Sequence, residues 1–257
     1  MGAAVSIRGV IIESRQHREQ DVIIKILTGQ NGIISACVPG AKKPSSRLAP
    51  YSVPAVFADF VCTQSKGFLY VKEAEIVEGF RCLYSSIEAL TVASHLFDIT
   101  NDVAMDIENG IHVYPVLLTC LYRLSKRPQD YRLVAAVFEW RVMNDLGFAF
   151  DLSECDCDHV NDMPTRAFSY TTGKLYCANV GCLKRAKEYK FISLGCIQAL
   201  IFIQNASMNE LFGFKLTQNA LDDLFEVCHH HLCLHLDKNY NKMDLLDALP
   251  PITETNQ

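Results

Sequence analysis

The stretch from Glu19 to Leu48 constrains this chain most. Two β-branched runs, Val22 to Thr28 and Ile33 to Val38, flank Gly29-Gln30-Asn31-Gly32. Asn-Gly between alternating apolar residues is a hairpin signal, because both residues tolerate positive φ. Pro39-Gly40 then stops the second strand. The next segment, Ala41-Lys42-Lys43-Pro44-Ser45-Ser46-Arg47, has three cations, two hydroxyls and little to bury. Such a segment cannot be core. It is either a solvated loop, the usual fate of a block of like charge, or a phosphate-contacting one. Cations and hydroxyls held by a rigid hairpin suit the second role.

The strands around this hairpin extend the pattern. Val5 to Ser14 alternates around Ile7, Val10 and Ile12 and reads as strand one. Pro54 to Cys62 reads as strand four. Ser65-Lys66-Gly67 then turns the chain into strand five, Phe68 to Val77. Five short strands with no helical pattern between them predict a small closed barrel, most commonly an OB-fold. Such barrels often hold single-stranded nucleic acid with a charged groove and exposed aromatics. Tyr51, Phe68 and Tyr70 are the stacking candidates, against the plainer role of barrel core or rim.

The charge is uneven. The whole chain carries −5, but residues 1–80 hold nine Lys and Arg against seven Asp and Glu. The remainder holds fifteen against twenty-two. A polyanion site therefore belongs to the front. With 49% apolar and 21% charged residues, the 257-residue chain has enough to bury an ordered core. Its longest nearly apolar run, Leu194 to Ile203, is too short for a bilayer. Met1-Gly2-Ala3-Ala4-Val5-Ser6 fits the bare myristoylation pattern, but Val5 already begins a strand.

From Ser85 the apolar period changes to the helical one. Ile87, Leu90, Ala93, Leu96 and Phe97 lie on one face. Asn109-Gly110 interrupts the pattern, and Val113 to Ser125 predicts a second, buried helix. Asp130 to Leu146 predicts a third, stopped by Gly147, with Trp140 as a packing anchor. Helical periodicity returns from Ile192 to Gln204 and again from Thr217, an N-cap residue type, to Leu236. On that last helix His231 and His235 are one turn apart. No Glu stands between them in a His-Glu-x-x-His pattern, so a solvated or capping face is expected.

Between these helices, residues 151–186 read as a loop. Four of the eleven cysteines fall there: Cys155 with Cys157, and Cys177 with Cys182. Two cysteine pairs bracketing a short polar loop are the layout of a structural zinc site, since four thiolates satisfy tetrahedral Zn²⁺. Cys-x-Cys is one residue shorter than the common knuckle, and Cys-x4-Cys is longer. The alternatives are four reduced thiols, a site that has lost its metal, or His159 as the fourth ligand in place of Cys157. The other cysteines are scattered through apolar segments without a secretory leader before them. They read as small buried hydrophobes of a cytosolic protein.

No catalytic signature stands out. The Gly-x4-Gly-Lys-Ser/Thr loop, the Gly-x-Gly-x-x-Gly turn and the Gly-x-Ser-x-Gly elbow are all missing. An enzyme has no residues to recommend it, and a hydrolase, the weakest of the rivals, would need a metal site with an open coordination position.

The order of several short motifs resembles the RecO family of bacterial recombination mediators. They are Gly9-Val10-Ile11-Ile12, Glu19-x-Asp21, and Gly40 to Leu48 at the front. Phe138-Glu139-Trp140-Arg141, Leu146-Gly147-Phe148 and Asp151-Leu152-x2-Cys155 come next, then Phe168 to Cys177 and Met243-Asp244-Leu245-Leu246. The resemblance implies an α+β multidomain fold, with a five-stranded OB barrel at 1–80. An all-α domain would come after it at 81–150 and 187–249, interrupted by a zinc-binding Cys-rich loop at 151–186, with a flexible tail at 250–257. It implies binding of single- and double-stranded DNA and annealing of complementary strands. It also implies work with RecR to load RecA onto DNA coated by single-strand-binding protein, in the cytoplasm at the nucleoid. The expected backbone contacts are Arg8, Arg15, Arg18, Lys42, Lys43, Arg47 and Lys66. Arg123, Lys126, Arg127 and Arg132 are candidates for the acidic tail of single-strand-binding protein. The rival reading is a zinc-stabilised RNA-binding or translation-associated module.

Overall fold

The computed structural model describes residues 4–127, 130–152 and 165–247. Alternation dictates its first part. In β2 (Asp21–Thr28), Val22, Ile24 and Ile26 point inward while Ile23 and Lys25 are only half-buried. β4 (Phe57–Ser65) alternates likewise, whereas β1 (Ala4–His17) buries Gly9–Ile12 in succession, β3 (Gly32–Val38) buries its last three residues together, and β5 (Phe68–Glu78) buries only Val71. These five strands close into a barrel of order β1-β2-β3-β5-β4, the expected architecture. A parallel pairing of β3 with β5, Ala36 opposite Leu69 and Cys37 opposite Tyr70, makes the closure. Ile11, Ile24, Ile26 and Phe60 fill the interior with no exposure. Each such side chain contributes roughly 1.5–3 kcal/mol.

Two strand ends differ from expectation. β1 continues to His17, because Gln16 and His17 still pair with Val22 and Asp21. A register shift between Ile11 and Glu13 bends it around the barrel. β4 begins only at Phe57, since Ala55 has φ 60° and its N–H turns back to Ile11 O at 2.8 Å.

The chain forms two compact units, one of residues up to Tyr131 together with the stretch from Tyr240, the other Arg132–Asn239. In the first unit, α1 (Ile87–Val103) is capped by Ser86, whose Oγ accepts from Ala89 N. α2 (Ile107–Lys126) starts six residues before the predicted Val113. Asp106 caps it by accepting from Asn109 N at 2.8 Å, so Asn109-Gly110 lies inside the first turns and does not break them. Gly110 is there for contact. A Cβ on it would stand 2.5 Å from Gly32 Cα, at the base of the β2–β3 turn. Gly32 has φ 61°, and its own Cβ would meet Ile107 Cα at 3.1 Å. The hairpin thus docks on α2 through two glycines. The late stretch returns to α1, where Tyr240 OH donates to Asp102 at 2.7 Å and Lys242 Nζ pairs with Asp98 at 2.6 Å.

The second unit is built on α3 (Tyr131–Met143), which is buried on nearly every side. Trp140 is the anchor expected: its Nε1–H donates to Leu200 O at 3.1 Å. The helix ends three residues early, in a wider turn, Asn144–Phe148, where Gly147 has φ 91°. The helical reading of this half holds with one addition, a three-stranded antiparallel sheet. It consists of β6 (Thr165–Ser169), β7 (Leu175–Tyr176) and β8 (Tyr189–Ser193), in order β7-β6-β8. The short α4 (Val180–Ala186) lies between β7 and β8. α5 (Leu194–Asn205) and α6 (Gln218–Leu236) complete the unit. Arg141 covers the end of α5, donating to Ile203 O at 3.0 Å and Ala206 O at 2.7 Å. A cation there satisfies the helix's orphan carbonyls.

Of the α6 pair, His235 is exposed as expected, but His231 is not. His231 is 1% exposed, with its ring against Trp140, Phe150 and His235. Its Nε2–H donates to Phe148 O at 3.1 Å, which favours the charged ring, but burial outweighs it and lowers the pKa to about 3. His229 Nδ1 lies 3.0 Å from Glu139 Oε1. Burial opposes its charge, but hydrogen bonds with Cys233 and Glu139 and the Glu139 carboxylate outweigh it and raise the pKa to about 10. Each of these side chains has a hydrogen-bond partner on one of its polar atoms, which offsets part of the cost of its burial.

Replacing Gly110 by Ala is expected to lower stability by about 1–3 kcal/mol in urea unfolding, through overpacking. Helix propensity alone predicts a gain of ~1 kcal/mol, so a stabilised variant would contradict the glycine contact. The histidines set a second expectation. His229 stabilises fully below its ordinary 6.5 and loses that contribution as pH climbs toward 10. His231 disfavours folding as pH drops from 6.5 toward 3. The urea midpoint followed by Trp140, the single tryptophan, should therefore be highest around neutrality. Glu139→Gln should flatten the alkaline side; an unaltered alkaline decline would show that the pair does not stabilise the fold.

Candidate nucleic-acid interface

The basic segment is not a loose loop. Val22 opposite Val38 brings the end of β3 beside the start of β2. Asp21 Oδ1 accepts from Gly40 N at 2.8 Å, and Gln20 O accepts from Lys42 N at 3.0 Å. Two tight turns come next, Lys43 N to Gly40 O at 3.1 Å and Ser46 N to Lys43 O at 2.9 Å. Leu48 then packs on the barrel core. The backbone is thus satisfied by itself and by the β1–β2 turn, leaving the Lys42, Lys43 and Arg47 side chains exposed. Among the described residues, no carboxylate forms an ion pair with any of the three. Lys43, Ser45, Ser46 and Arg47 line an open hollow of about 370 Å³ with Gln20 and Asp21 at its base.

Arg18 stands exposed in the β1–β2 turn with φ 56°, and Arg15 lies two residues before the end of β1. Through Gln20 that turn touches the basic segment, so Arg15, Arg18, Lys42, Lys43 and Arg47 come from two pieces of chain in contact. Lys66 stands apart, exposed in the β4–β5 turn with φ 49°. The β1–β2 and β4–β5 turns are the loops with which OB barrels hold oligonucleotides. Arg8 is differently engaged. It grips its register partner Asp59 with both arms of its fork, Nε at 2.7 Å and Nη2 at 2.6 Å. That hydrogen bond holds the Asp59 carboxyl below its usual range. Arg8 is therefore not a free cation.

The aromatic candidates separate too. Tyr51 is half-buried against the barrel core, and Tyr70 is half-buried on β5. Phe68, next to the Lys66-Gly67 turn, is 66% exposed. Asp21 enters the sequence reading only through the Glu19-x-Asp21 motif, with no role in the interface assigned to it. A carboxylate among cations looks unhelpful until its hydrogen bond to Gly40 is seen, and nothing local in the sequence signals that contact.

The four helix cations are mostly engaged. Arg123 pairs with Asp130 at 2.5 Å, Lys126 lies over the Tyr122 ring at 5.3 Å, and Arg132 pairs with Asp222 at 3.2 Å. Arg127 is the exposed C-cap residue of α2. No helix among the described residues is long and apolar enough to cross a membrane.

Of the cysteine set, Cys155, Cys157 and the alternative His159 lie outside the described residues. Cys177, just after β7, and Cys182, in α4, are buried in one small cluster with Tyr176 and Ala186. Asn179 caps α4 by accepting from Gly181 N at 2.9 Å, which fixes the turn between the two sulfurs. Arg185 Nη2 donates to Cys182 Sγ at 3.4 Å. A hydrogen bond to the sulfur is the kind of outer contact a metal-bound cysteine keeps. Among the scattered thiols, burial pushes Cys62 up to about 11 and Cys196 to about 12.

Residues 1–80 match the family described as Recombination protein O N terminal, and residues 84–244 match Recombination protein O C terminal. The DNA repair protein RecO of Acetivibrio thermocellus is 30% identical, covering 95% of this chain and 96% of the relative. That of Heliobacterium modesticaldum is 31% identical, over 94% and 89%. A Clostridium perfringens relative of the same name is 28% identical, over 88% and 90%. With both ends of the profile and whole-length relatives in agreement, the chain belongs to the RecO family.

Proposed function

We propose that the chain is a DNA-binding mediator of recombinational repair. The family is named for recombination and DNA repair. The finer reading is carried by the set of unpaired cations held by a braced loop at one end of the barrel. Arg15, Arg18, Lys42, Lys43 and Arg47, with Lys66 beyond them, meet the backbone of single- or double-stranded DNA; Arg8 joins only by releasing Asp59. Contacts of this kind position the polymer without reading its bases. Annealing then requires two strands held close with their charge neutralised, and no catalytic group. In the cell the protein acts in the cytoplasm at the nucleoid with RecR, helping RecA onto DNA coated by single-strand-binding protein. Of the helix cations, Lys126 and Arg127 are the better placed for that protein's acidic tail, because Arg123 and Arg132 already hold carboxylates.

The two described cysteines suit a structural Zn²⁺, which would be held by Cys155, Cys157, Cys177 and Cys182. Four protein ligands would leave no position for water, so the metal would supply folding energy to the sheet and α4.

Substituting Lys42, Lys43 and Arg47 together by Ala should weaken DNA binding across sequences. The slope of log K against log salt should become shallower by about 2. An unchanged slope would remove this loop from the interface, and preferential competition by RNA of equal length would favour the RNA-binding alternative. For the metal, protein prepared without added zinc should contain close to one equivalent, and Cys177→Ser should lose it. Metal-free protein with all four thiols titratable would reject the site.

A further inference from the structure

The basic segment leads directly into a second hollow of opposite character. It is walled by Pro50, Val53, Val56, Ile76 and Tyr84, holds about 350 Å³, and has Arg81 as its one charged residue. The wall is built and held. Tyr84 OH donates to Pro54 O at 2.7 Å, which fixes a ring that is still 48% exposed. Val53 is 41% exposed at the lip. Ser52 Oγ closes the one-turn helix Ala49–Tyr51 by donating to Ala49 O at 2.8 Å. The cationic hollow ends at Leu48 and the apolar one begins at Pro50. Residues that close are separated by less than about 8 Å of chain. That is about the reach of one or two nucleotides along a strand.

We propose that this apolar hollow takes an unstacked nucleobase of a single strand whose backbone lies on Lys42, Lys43 and Arg47. The proposal rests on the DNA interface assigned to those three cations and adds a base-holding subsite to it. Charge complementarity selects the occupant. The unpaired cations Lys42, Lys43 and Arg47 precede its first wall residue, Pro50, by a few residues of chain, and Arg81 is the charged residue of its lining, so an anionic backbone is drawn to it while the rest of the lining offers apolar surface and a tyrosine ring. A base presents a π face to Tyr84 and its phosphate to Arg81, the pairing that single-strand sites use. A base stacked within a duplex cannot enter. The subsite thus gives the protein a preference for single strands that backbone contacts alone do not provide, and it would hold bases apart from their neighbours before pairing.

The test compares a twelve-nucleotide oligothymidylate, an abasic strand of the same length and a duplex. Tyr84→Ala should weaken oligothymidylate binding roughly tenfold and leave the abasic strand and the duplex within about twofold. Val53→Gln, which keeps the Tyr84–Pro54 hydrogen bond and adds no charge, should act in the same direction and guards against a folding defect. Full oligothymidylate affinity in Val53→Gln, or equal losses on the abasic strand, would overturn the subsite. The two readings fail separately: if the Lys42, Lys43 and Arg47 triple variant binds normally, the interface is wrong, whereas loss in that variant with none in Val53→Gln rejects the base subsite alone.

Discussion

The Asp21 carboxylate at Gly40 N is the interaction on which the rest turns. It joins the start of β2 to the end of β3 just where the chain leaves the barrel. With Gln20 O on Lys42 N, it makes the basic segment an extension of the barrel rim. Cations on a floating loop would lose side-chain and backbone freedom on binding a polymer. Here much of the backbone order is already present. The carboxylate is also engaged in this bond, so a negative charge among positive ones serves as a brace.

The same matching of partners runs through the chain. Arg8 and Asp59 neutralise one another on adjacent strands, and Arg141 closes the end of α5. His229 and Glu139 are both largely withdrawn from water and meet through His229 Nδ1 and Glu139 Oε1. Against that background, Lys42, Lys43 and Arg47 are conspicuous for having no acidic partner among the described residues. A cluster of exposed like charges repels itself, and an anionic ligand relieves that repulsion.

Much of this was legible in the sequence. Alternation and Asn31-Gly32 marked the barrel, and the Lys42–Arg47 composition marked the loop. The hidden features depend on contacts far apart in the chain. Gly110 reads as a helix breaker until Gly32 is placed against it, and Arg8 reads as a free cation until the β1–β4 register sets Asp59 opposite. The sheet of β6, β7 and β8 escapes periodicity because its strands are short, β7 only two residues, and their pairing is non-local. His231 looks solvated because it is polar, whereas Trp140 and Phe150 pack its ring and the Phe148 carbonyl takes its Nε2–H.

Amide hydrogen exchange, with and without a saturating oligodeoxynucleotide, tests the braced cationic rim most directly. Protection on binding should concentrate in residues 18–20 and 40–48, where the braced cations stand. Protection confined to other parts of the chain, with those two segments exchanging as in the free protein, would contradict it.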